Sequence, residues 1–442
     1  MSSTKVQEVS RKRLGSPHYE TASFSATKRS RKSLSTREEK DEIDPLFRTK
    51  KHKSNKSLET NEVAIKTSVD TVSQISFNQR HQSILSIIHF KQPLKLQSEY
   101  PIPEISPYEI LVQNKAIGLN PIDWKGKKYG FGIYHFPWIN GRESSGDVVK
   151  IGAKVDTKAN DLSIGDKVIV SSTSYRDNRT STFQQFTAID SRLVWKLPSH
   201  YTYEDGATIG VGLVTAGILF YNSFDFKLTS KPKQHAGTLL IWGGSTIVGI
   251  YVAQLAKLHG LKVISVAGTK HAQYLNSLGV DHVIDRFATD DEIVAKVEEL
   301  APSGVNYGID CVSKETAIKV LNILDTNSTK LETTTEHTKN DSKKDKKSLR
   351  ASPLFAGVVG VPKEDQIPKS VSLKPVIIKR FHEDIEFGAK FIAITSSFLA
   401  SSQIKPARYK HYNGGLEIIE DALNDLEKIG ANGEKYVVSI KD

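Results

Sequence analysis

The stretch IWGGSTIVG (241–249) joins an apolar run, TLLIW, to a second apolar segment, IYVAQLAKLHG, through Gly243, Gly244 and Gly249. Glycine lacks a Cβ, so the chain can turn tightly there and another group can approach its backbone. A helix starting at such a turn offers unpaired N–H groups and the positive end of its dipole, which together suit a phosphate. Strand, glycine turn, helix is the arrangement that binds dinucleotides, with Gly243, Gly244, Ser245, Thr246 and Gly249 as the phosphate-facing candidates. Against Gly-x-Gly-x-x-Gly the middle position is Thr246, and a plain strand–helix packing turn could carry the same glycines.

The segments that must position this turn follow it. Val248, Val252 and Leu255 repeat at helical spacing, and Gly260 stands where a helix C-terminal glycine belongs. VISVA (263–267), HVID (282–285) and YGIDCV (307–312) read as strands, with a short helix ending at Gly279 and a longer one over 290–300, capped by Asp290 or Asp291. Strands alternating with helices predict a parallel, doubly wound sheet. An NAD site usually carries an acid about twenty residues after the glycines, for the ribose 2′-hydroxyl. Here the second strand ends in VAGTKH, and Thr269, Lys270 and His271 offer a hydroxyl, a cation and an imidazole. That set favours a 2′-phosphate and hence NADPH, although Lys270 could also be an ordinary solvated lysine. Arg286, after the third strand, is a candidate for the adenosine end, and Asp310 for the cofactor ribose.

The chain has 442 residues, enough for two or three domains, with 38% hydrophobic residues and a formal net charge of +11. Residues 1–75 hold 16 Lys/Arg against 10 Asp/Glu, and 326–350 hold 7 against 4. These two segments account for nine of the eleven charges, so the pI near 9.3 reports on them and not on a basic fold. The single cysteine, Cys311, excludes a disulfide framework or a cysteine-based zinc site within one chain and fits a reducing compartment. No apolar run is expected to reach the roughly 18–20 residues of a membrane span. The N-terminal residues lack the apolar core of a secretory signal, and their acids, from Glu8 onward, argue against a mitochondrial presequence.

Residues 1–77 are rich in Ser, Thr, Lys and Arg and are expected to be a disordered tail. From 78 to 205, short strand-like pieces (SILSIIHF, LKLQSEY, EILVQNKAIGL, GDVVKIG, DKVIV and FQQFTAI) separated by turns give a β-barrel-like pattern. The nucleotide-binding part spans 206–375, opened by a helical stretch at 203–222. Within 326–350 one strand is expected around KLETT, followed by a charged insertion at about 336–350. Residues 376–442 end in GEKYVVSI, a strand expected to return to the first domain.

The motifs GLNPIDWK (118–125), GRESSGDVVKIG (141–152), SIGDKVIV (163–170), GVGLVTAG (210–217), IWGGSTIVG, LGVDHVID and GEKYVVSI together resemble the medium-chain dehydrogenase/reductase superfamily. Within it the chain is most similar to the zinc-lacking quinone oxidoreductase-like branch, and there to fungal trans-enoyl reductases and their yeast relatives. The resemblance covers about residues 80–442. It implies an α/β chain with a GroES-like β-barrel catalytic domain and a Rossmann nucleotide-binding domain. In the superfamily's zinc alcohol dehydrogenases the metal ligands come from the motifs matched by GLNPID, GRE and GVGLVTAG. The matching residues here are Asn120, Arg142 and Val211, none a thiolate or imidazole, so no metal is expected.

Without a Lewis acid, reduction of an alkene conjugated to a carbonyl stays feasible, given orientation, a hydrogen-bond donor for the enolate oxygen and a proton. Similar trans-enoyl reductases have a lysine and a threonine near the nicotinamide. The resemblance places these at Lys125 and Thr215, with Asn120 on the nicotinamide side. Lys125 could equally be a surface lysine, and Thr215 a helix threonine bonded to its own preceding turn. Tyr129, Tyr134 and Trp138 are candidates for an apolar pocket, two of the three being expected in the core. Arg142 is expected to pair with Glu143.

The expected partners are a small apolar unsaturated carbonyl substrate, a second copy of the chain, and a nuclear import receptor. The last would read Arg11–Arg13 and Lys28–Lys32, with a third basic cluster at Lys50–Lys53. A cytoplasmic or nuclear location follows. Aromatics do not interleave with these cations, which disfavours nucleic acid. The rival reading is a nucleotide-binding but catalytically lapsed regulatory protein with a nuclear interaction tail.

Overall fold

The computed structural model describes residues 79–172, 176–336 and 352–441, and of 327–336 the backbone alone. The basic clusters of the first 77 residues and the charged insertion from 337 onward lie outside the described residues.

The first part of the chain is built on β1 (His81–Ile87), β2 (Lys95–Pro101), β3 (Glu109–Leu119), α1 (Pro121–Tyr129), β4 (Trp138–Ile139), β5 (Glu143–Ile151), β6 (Lys167–Ser171), β7 (Phe186–Asp190) and β8 (Val194–Lys196). Strands β2, β1 and β4 form a small sheet, and β3, β5, β6 and β8 run side by side in a larger one, with β7 on β3. The alternation of EILVQNKAIGL suits β3, whose buried residues meet β5 and β7 on either edge. In the β3–β5 register Gly118 stands opposite Glu143.

Two helical pieces, α2 (Tyr203–Gly206) and α3 (Gly210–Ile218), lead into the second part. The stretch Tyr203–Ser223 has the length and hydropathy of a membrane span, contrary to expectation, but 89% of that window is buried inside the fold. Three glycines in α3, Gly210, Gly212 and Gly217, let neighbours approach closely; a Cβ on Gly217 would stand 2.3 Å from the Phe391 ring.

The second part alternates β9 (Thr238–Trp242), α4 (Ile247–Leu258), β10 (Lys262–Ala267), α5 (Ala272–Ser277), β11 (His282–Asp285), α6 (Asp290–Leu300), β12 (Tyr307–Asp310), α7 (Lys314–Glu336), β13 (Leu354–Gly357) and β14 (Ser372–Leu373). All its pairings are parallel, in the order β11-β10-β9-β12-β13-β14. Both faces are covered. Leu239 and Ile241 of β9 pack with α4, while Leu240 and Trp242 pack with α6 and α7, which is why these strands read as continuous apolar runs. Two expectations fail locally. The cap of α6 is Thr289, whose hydroxyl accepts from the Glu292 amide, not an aspartate. KLETT is helical, not a strand: Ala317, Val320, Leu321 and Leu324 seat α7 on the sheet, and no glycine or proline interrupts it before Pro353.

The chain then runs through α8 (Arg380–Glu383) and α9 (Ile385–Ala400) to β15 (Tyr409–Asn413), α10 (Ile419–Ile429) and β16 (Lys435–Ser439). Strand β16 pairs antiparallel with β3, Tyr436 opposite Leu119 and Val437 opposite Gly118. The last strand thus returns to the first sheet.

Candidate active site

The two parts of the site are built in different ways. The first is the glycine turn. Strand β9 ends at Trp242, and Gly243 takes φ +86°, where a side chain would be strained. A Cβ on Gly244 would lie 1.9 Å from Ser265 Oγ, and one on Gly249 only 2.5 Å from the Gly243 carbonyl oxygen. The turn is therefore closed against both β10 and its own helix. Thr246, at the expected glycine position, is the N-cap of α4, its hydroxyl accepting from the Gly249 amide at 3.1 Å. It satisfies one orphan donor of the first turn, which begins beside the half-exposed Ser245. Strands β10 and β12 flank β9, so the turn sits where the strand order reverses, at the carboxyl ends of the strands. That is the crevice in which open α/β sheets bind ligands, and these residues fit a dinucleotide.

The other cofactor candidates separate. Thr269 and Lys270 are exposed beyond β10, and Arg286 is exposed after β11 with its guanidinium 4.5 Å from the centre of the Phe287 ring. His271 is turned away from them. It is 7% exposed and stands under Gly433, where a Cβ would be 2.7 Å from its Nδ1. Burial, with Lys270 and Arg408 nearby, holds its pKa below the usual histidine value. Asp310 is fully buried at the end of β12. Its Oδ1 accepts from the amides of Val312 and Ser313, both at 3.0 Å, so it caps the turn into α7 instead of reaching outward for a ribose. Burial raises its pKa. Cys311 is buried as expected, its thiol pushed up to about 12 by desolvation.

The second part is a buried polar network. Asn120, at the N-terminus of α1, makes no side-chain cap bond to that helix. Its Nδ2 donates to Glu143 Oε1 at 2.7 Å, and its Oδ1 accepts from Lys435 Nζ at 2.8 Å. Lys435 and Glu143 form an ion pair, 1% and 0% exposed. Glu143 Oε2 accepts from the Val211 amide at 3.0 Å. The three positions that the resemblance assigns to zinc ligands thus gather around one carboxylate: Asn120 and Val211 bond to Glu143, and Arg142 precedes it in the chain. Glycines make the room, since a Cβ on Gly118 would lie 2.9 Å from both Glu143 Cγ and Lys435 Cε. Asp123 is also fully buried. It accepts from the Asn120 amide at 2.8 Å, and desolvation pushes its pKa up to about 6 although Arg142 and Lys435 oppose this.

Several expectations change here. The partner of Glu143 is Lys435, not Arg142, because the register of β16 on β3 brings that ammonium beside Gly118. Arg142 is itself buried, its guanidinium carbon 6.0 Å from the centre of the Trp138 ring. Thr215 donates to the Val211 carbonyl at 2.7 Å and is 4% exposed, the helix-internal bonding given as its alternative. Lys125 is half-buried, with Nζ 5.6 Å from the centre of the Trp124 ring. Of the three aromatic candidates only Trp138 is core; Tyr129 and Tyr134 are 58% and 57% exposed. Glu143 and Lys435 were not among the expected site residues. The one local sign of Lys435 is a cation opening an apolar strand.

Residues 106–199 match the family described as alcohol dehydrogenase GroES-like domain, and 248–338 the family described as zinc-binding dehydrogenase. The chain is 27% identical over 372 residues to an uncharacterized protein of Saccharomyces cerevisiae, covering 78% of this chain and 95% of that one. It is 29% identical over 346 residues to a trans-enoyl reductase of Alternaria alternata, covering 77% and 94%. A mycobacterial quinone oxidoreductase structure superposes with a TM-score of 0.59 at 21% identity, covering 81% of this chain and 99% of that one. With its GroES-like barrel, its parallel nucleotide-binding sheet and these relatives, the chain belongs to the medium-chain dehydrogenase/reductase superfamily.

Proposed function

We propose that the protein is a zinc-independent, NADPH-dependent oxidoreductase that reduces an alkene conjugated to a carbonyl in a small apolar substrate of the enone, enoyl or quinone class. The observation that carries this reading is the network around Glu143. An amide, a backbone N–H and an ammonium engage both oxygens of the carboxylate, and no group of three or more His, Cys, Asp or Glu suited to a metal occurs among the described residues. Arg142 and Lys435, both cations, stand in and beside it, which disfavours a divalent ion there. The relatives named trans-enoyl reductase support the reaction class.

The bound nicotinamide would supply a hydride to the β-carbon of the substrate. The displaced electron pair then resides on the carbonyl oxygen as an enolate, and a proton at the α-carbon completes the reduction. What the chain must add is a donor to that oxygen, fixed in advance in a site of low polarity. Asn120 fits best: 6% exposed, next to the buried pair, and with one amide N–H uncommitted. Lys125, on the outer side of α1, would act as a longer-range cation, and Thr215 would hold the helix turn that presents the Val211 amide. The glycine turn would hold the pyrophosphate, and Thr269 and Lys270 the 2′-phosphate.

NADPH oxidation against a panel of enones, quinones and aldehydes, with cofactor binding and elemental metal content measured in parallel, tests this. Turnover of conjugated alkenes by protein without stoichiometric zinc is expected. Cofactor binding with no turnover on the whole panel would favour the catalytically lapsed reading. We further propose a cytoplasmic and nuclear location set by the basic clusters Arg11–Arg13 and Lys28–Lys32; replacing them with alanine should abolish nuclear enrichment of a fluorescent fusion.

A further inference from the structure

We infer that Lys435 is a positioning residue: with Glu143 it fixes the orientation of the Asn120 carboxamide, so that an N–H and not the carbonyl oxygen is the group left for the substrate. The inference rests on the reductase reading and deepens it.

The argument is one of hydrogen-bond inventory. A carboxamide has two N–H donors on one atom and an acceptor oxygen on the other. An ammonium only donates and a carboxylate only accepts. Lys435 Nζ touches one end of Asn120 at 2.8 Å and Glu143 Oε1 the other at 2.7 Å. Turning the amide over would set an NH2 group against the ammonium and a carbonyl oxygen against the carboxylate. Both contacts would be repulsive, in a place where water cannot relieve them, since Lys435 and Glu143 are 1% and 0% exposed. The orientation is thus dictated by chemistry. With one N–H given to Glu143, the second N–H is the donor Asn120 has left.

Stability alone does not explain the ion pair, because apolar residues of similar volume often do as well as a buried pair. The fold also goes to some length to hold it. Lys435 comes from the last strand, 315 positions from Asn120 and 292 from Glu143. Gly118 leaves space for both members of the pair and Gly210 for Glu143, a Cβ on Gly210 falling 3.1 Å from Glu143 Cβ. The Val211 amide fixes the far oxygen of Glu143, so that the carboxylate cannot swing away. Each partner of Asn120 is therefore itself held from a second direction.

The test is a double-mutant cycle on the full chain loaded with NADPH. Asn120→Ala and Lys435→Met should each lower kcat about ten- to hundredfold, the worth of a charge-assisted hydrogen bond, with KM for the cofactor unchanged. The double variant should be no worse than either single one, because Lys435 acts through Asn120. Lys435→Arg should recover most of kcat. If Lys435→Met strands Glu143 and fails to fold, Lys435→Met/Glu143→Gln removes both charges and should show the same loss of kcat in a folded protein. Losses that multiply in the double variant, or a Lys435→Met protein that melts earlier but keeps kcat, would overturn the inference.

A second readout keeps it separable from the reductase reading. 4-Nitrophenolate, an enolate mimic, is titrated into the NADP+-loaded proteins and followed by its absorbance. If the wild type turns over no substrate yet loses phenolate affinity in Asn120→Ala and Lys435→Met alike, the reductase reading fails and the positioning role stands. Equal phenolate affinity in all variants overturns the positioning role.

Discussion

The glycine turn and the Glu143 network answer the same need, a fixed polar surface for a ligand, by opposite means. The turn uses what is missing. Gly243, Gly244 and Gly249 work because no Cβ fills the space against Ser265, the Gly243 carbonyl or Val312, and all three lie within seven residues. The network uses what is present. Its side chains come from α1, β5 and β16, and a backbone amide comes from α3; each member is held only while the others are there. Local backbone geometry is robust to distant change but intolerant of added atoms. A long-range charge network should show the reverse, tolerating changes of size if the charges balance and failing when one charge is removed.

The largest effect should come from breaking that balance. Glu143→Ala leaves the Lys435 ammonium buried without its anion and frees the Val211 amide. Removing one partner of a buried pair costs about 3–5 kcal/mol. Lys435→Met/Glu143→Gln should lose clearly less, measured by urea denaturation at neutral pH. If the single variant is the more stable of the two, the pair is not the balanced unit described here.

On the other side of the comparison, Gly249→Ala adds one methyl group whose Cβ would stand 2.5 Å from the Gly243 carbonyl oxygen and 2.7 Å from Gly244 Cα. Both are backbone atoms, so α4 must move off the turn. Overpacking of this kind costs about 1–3 kcal/mol. The displaced helix terminus should also lose NADPH affinity by at least tenfold in a fluorescence titration. Gly165→Ala is the control for an added methyl that meets nothing: no atom lies within 4 Å of its Cβ position, so its φ of +88° contributes backbone strain but no clash. Cofactor affinity unchanged in Gly249→Ala would mean that the turn does not hold the pyrophosphate.

This contrast explains what could be read from the sequence. The parallel sheet was legible because each strand of β9 to β12 is an apolar run bounded by turns, and a run carries its own signal. The return of GEKYVVSI to the first domain was legible as a strand, whereas its pairing with β3 is seen only in the structure. The pairing of Glu143 with Lys435 was not, because it depends on register: with Val437 opposite Gly118, the strand delivers Lys435 to the space that glycine leaves, and no local pattern encodes that. The same reasoning covers the errors. Arg142 is assigned to Glu143 because they are neighbours in sequence, but the carboxylate is held by Asn120, Lys435 and the Val211 amide, and the Arg142 guanidinium lies by the Trp138 ring. His271 was grouped with Thr269 and Lys270 by adjacency, but the 3-10 turn at Thr269–His271 rotates it inward beneath Gly433.

Thr269 and Lys270 provide the next test, on the exposed side of the cofactor site. Lys270→Asp places a carboxylate where the 2′-phosphate is proposed to lie. It should weaken NADPH about ten- to hundredfold and leave NADH nearly unchanged, because Lys270 is exposed and its loss disturbs no packing. Equal weakening of both cofactors would move the discriminating role to another residue, with Arg286 the first to examine.

The smallest effect probes the edge of the buried network, through Asp123. Burial pushes its carboxyl up to about 6 in the folded chain, against about 3.9 in an unfolded one. Between these values the folded protein holds a proton that the unfolded chain has released. Stability from this group is therefore fully present below about pH 4, falls as pH rises through the window, and levels off above about pH 6. The slope within the window approaches about 1.4 kcal/mol per pH unit, the linkage for one proton. Asp123→Asn keeps an oxygen to accept the Asn120 amide but has no proton to lose. The attraction of Arg142 for the ionised carboxylate is already contained in that folded value, so the slope carries the information. Urea denaturation of both proteins at pH 4.5, 5.5 and 6.5 should show the variant gaining on the wild type as pH rises. Parallel curves would mean that Asp123 is ionised throughout, and that Arg142 and Lys435 together outweigh the cost of its burial.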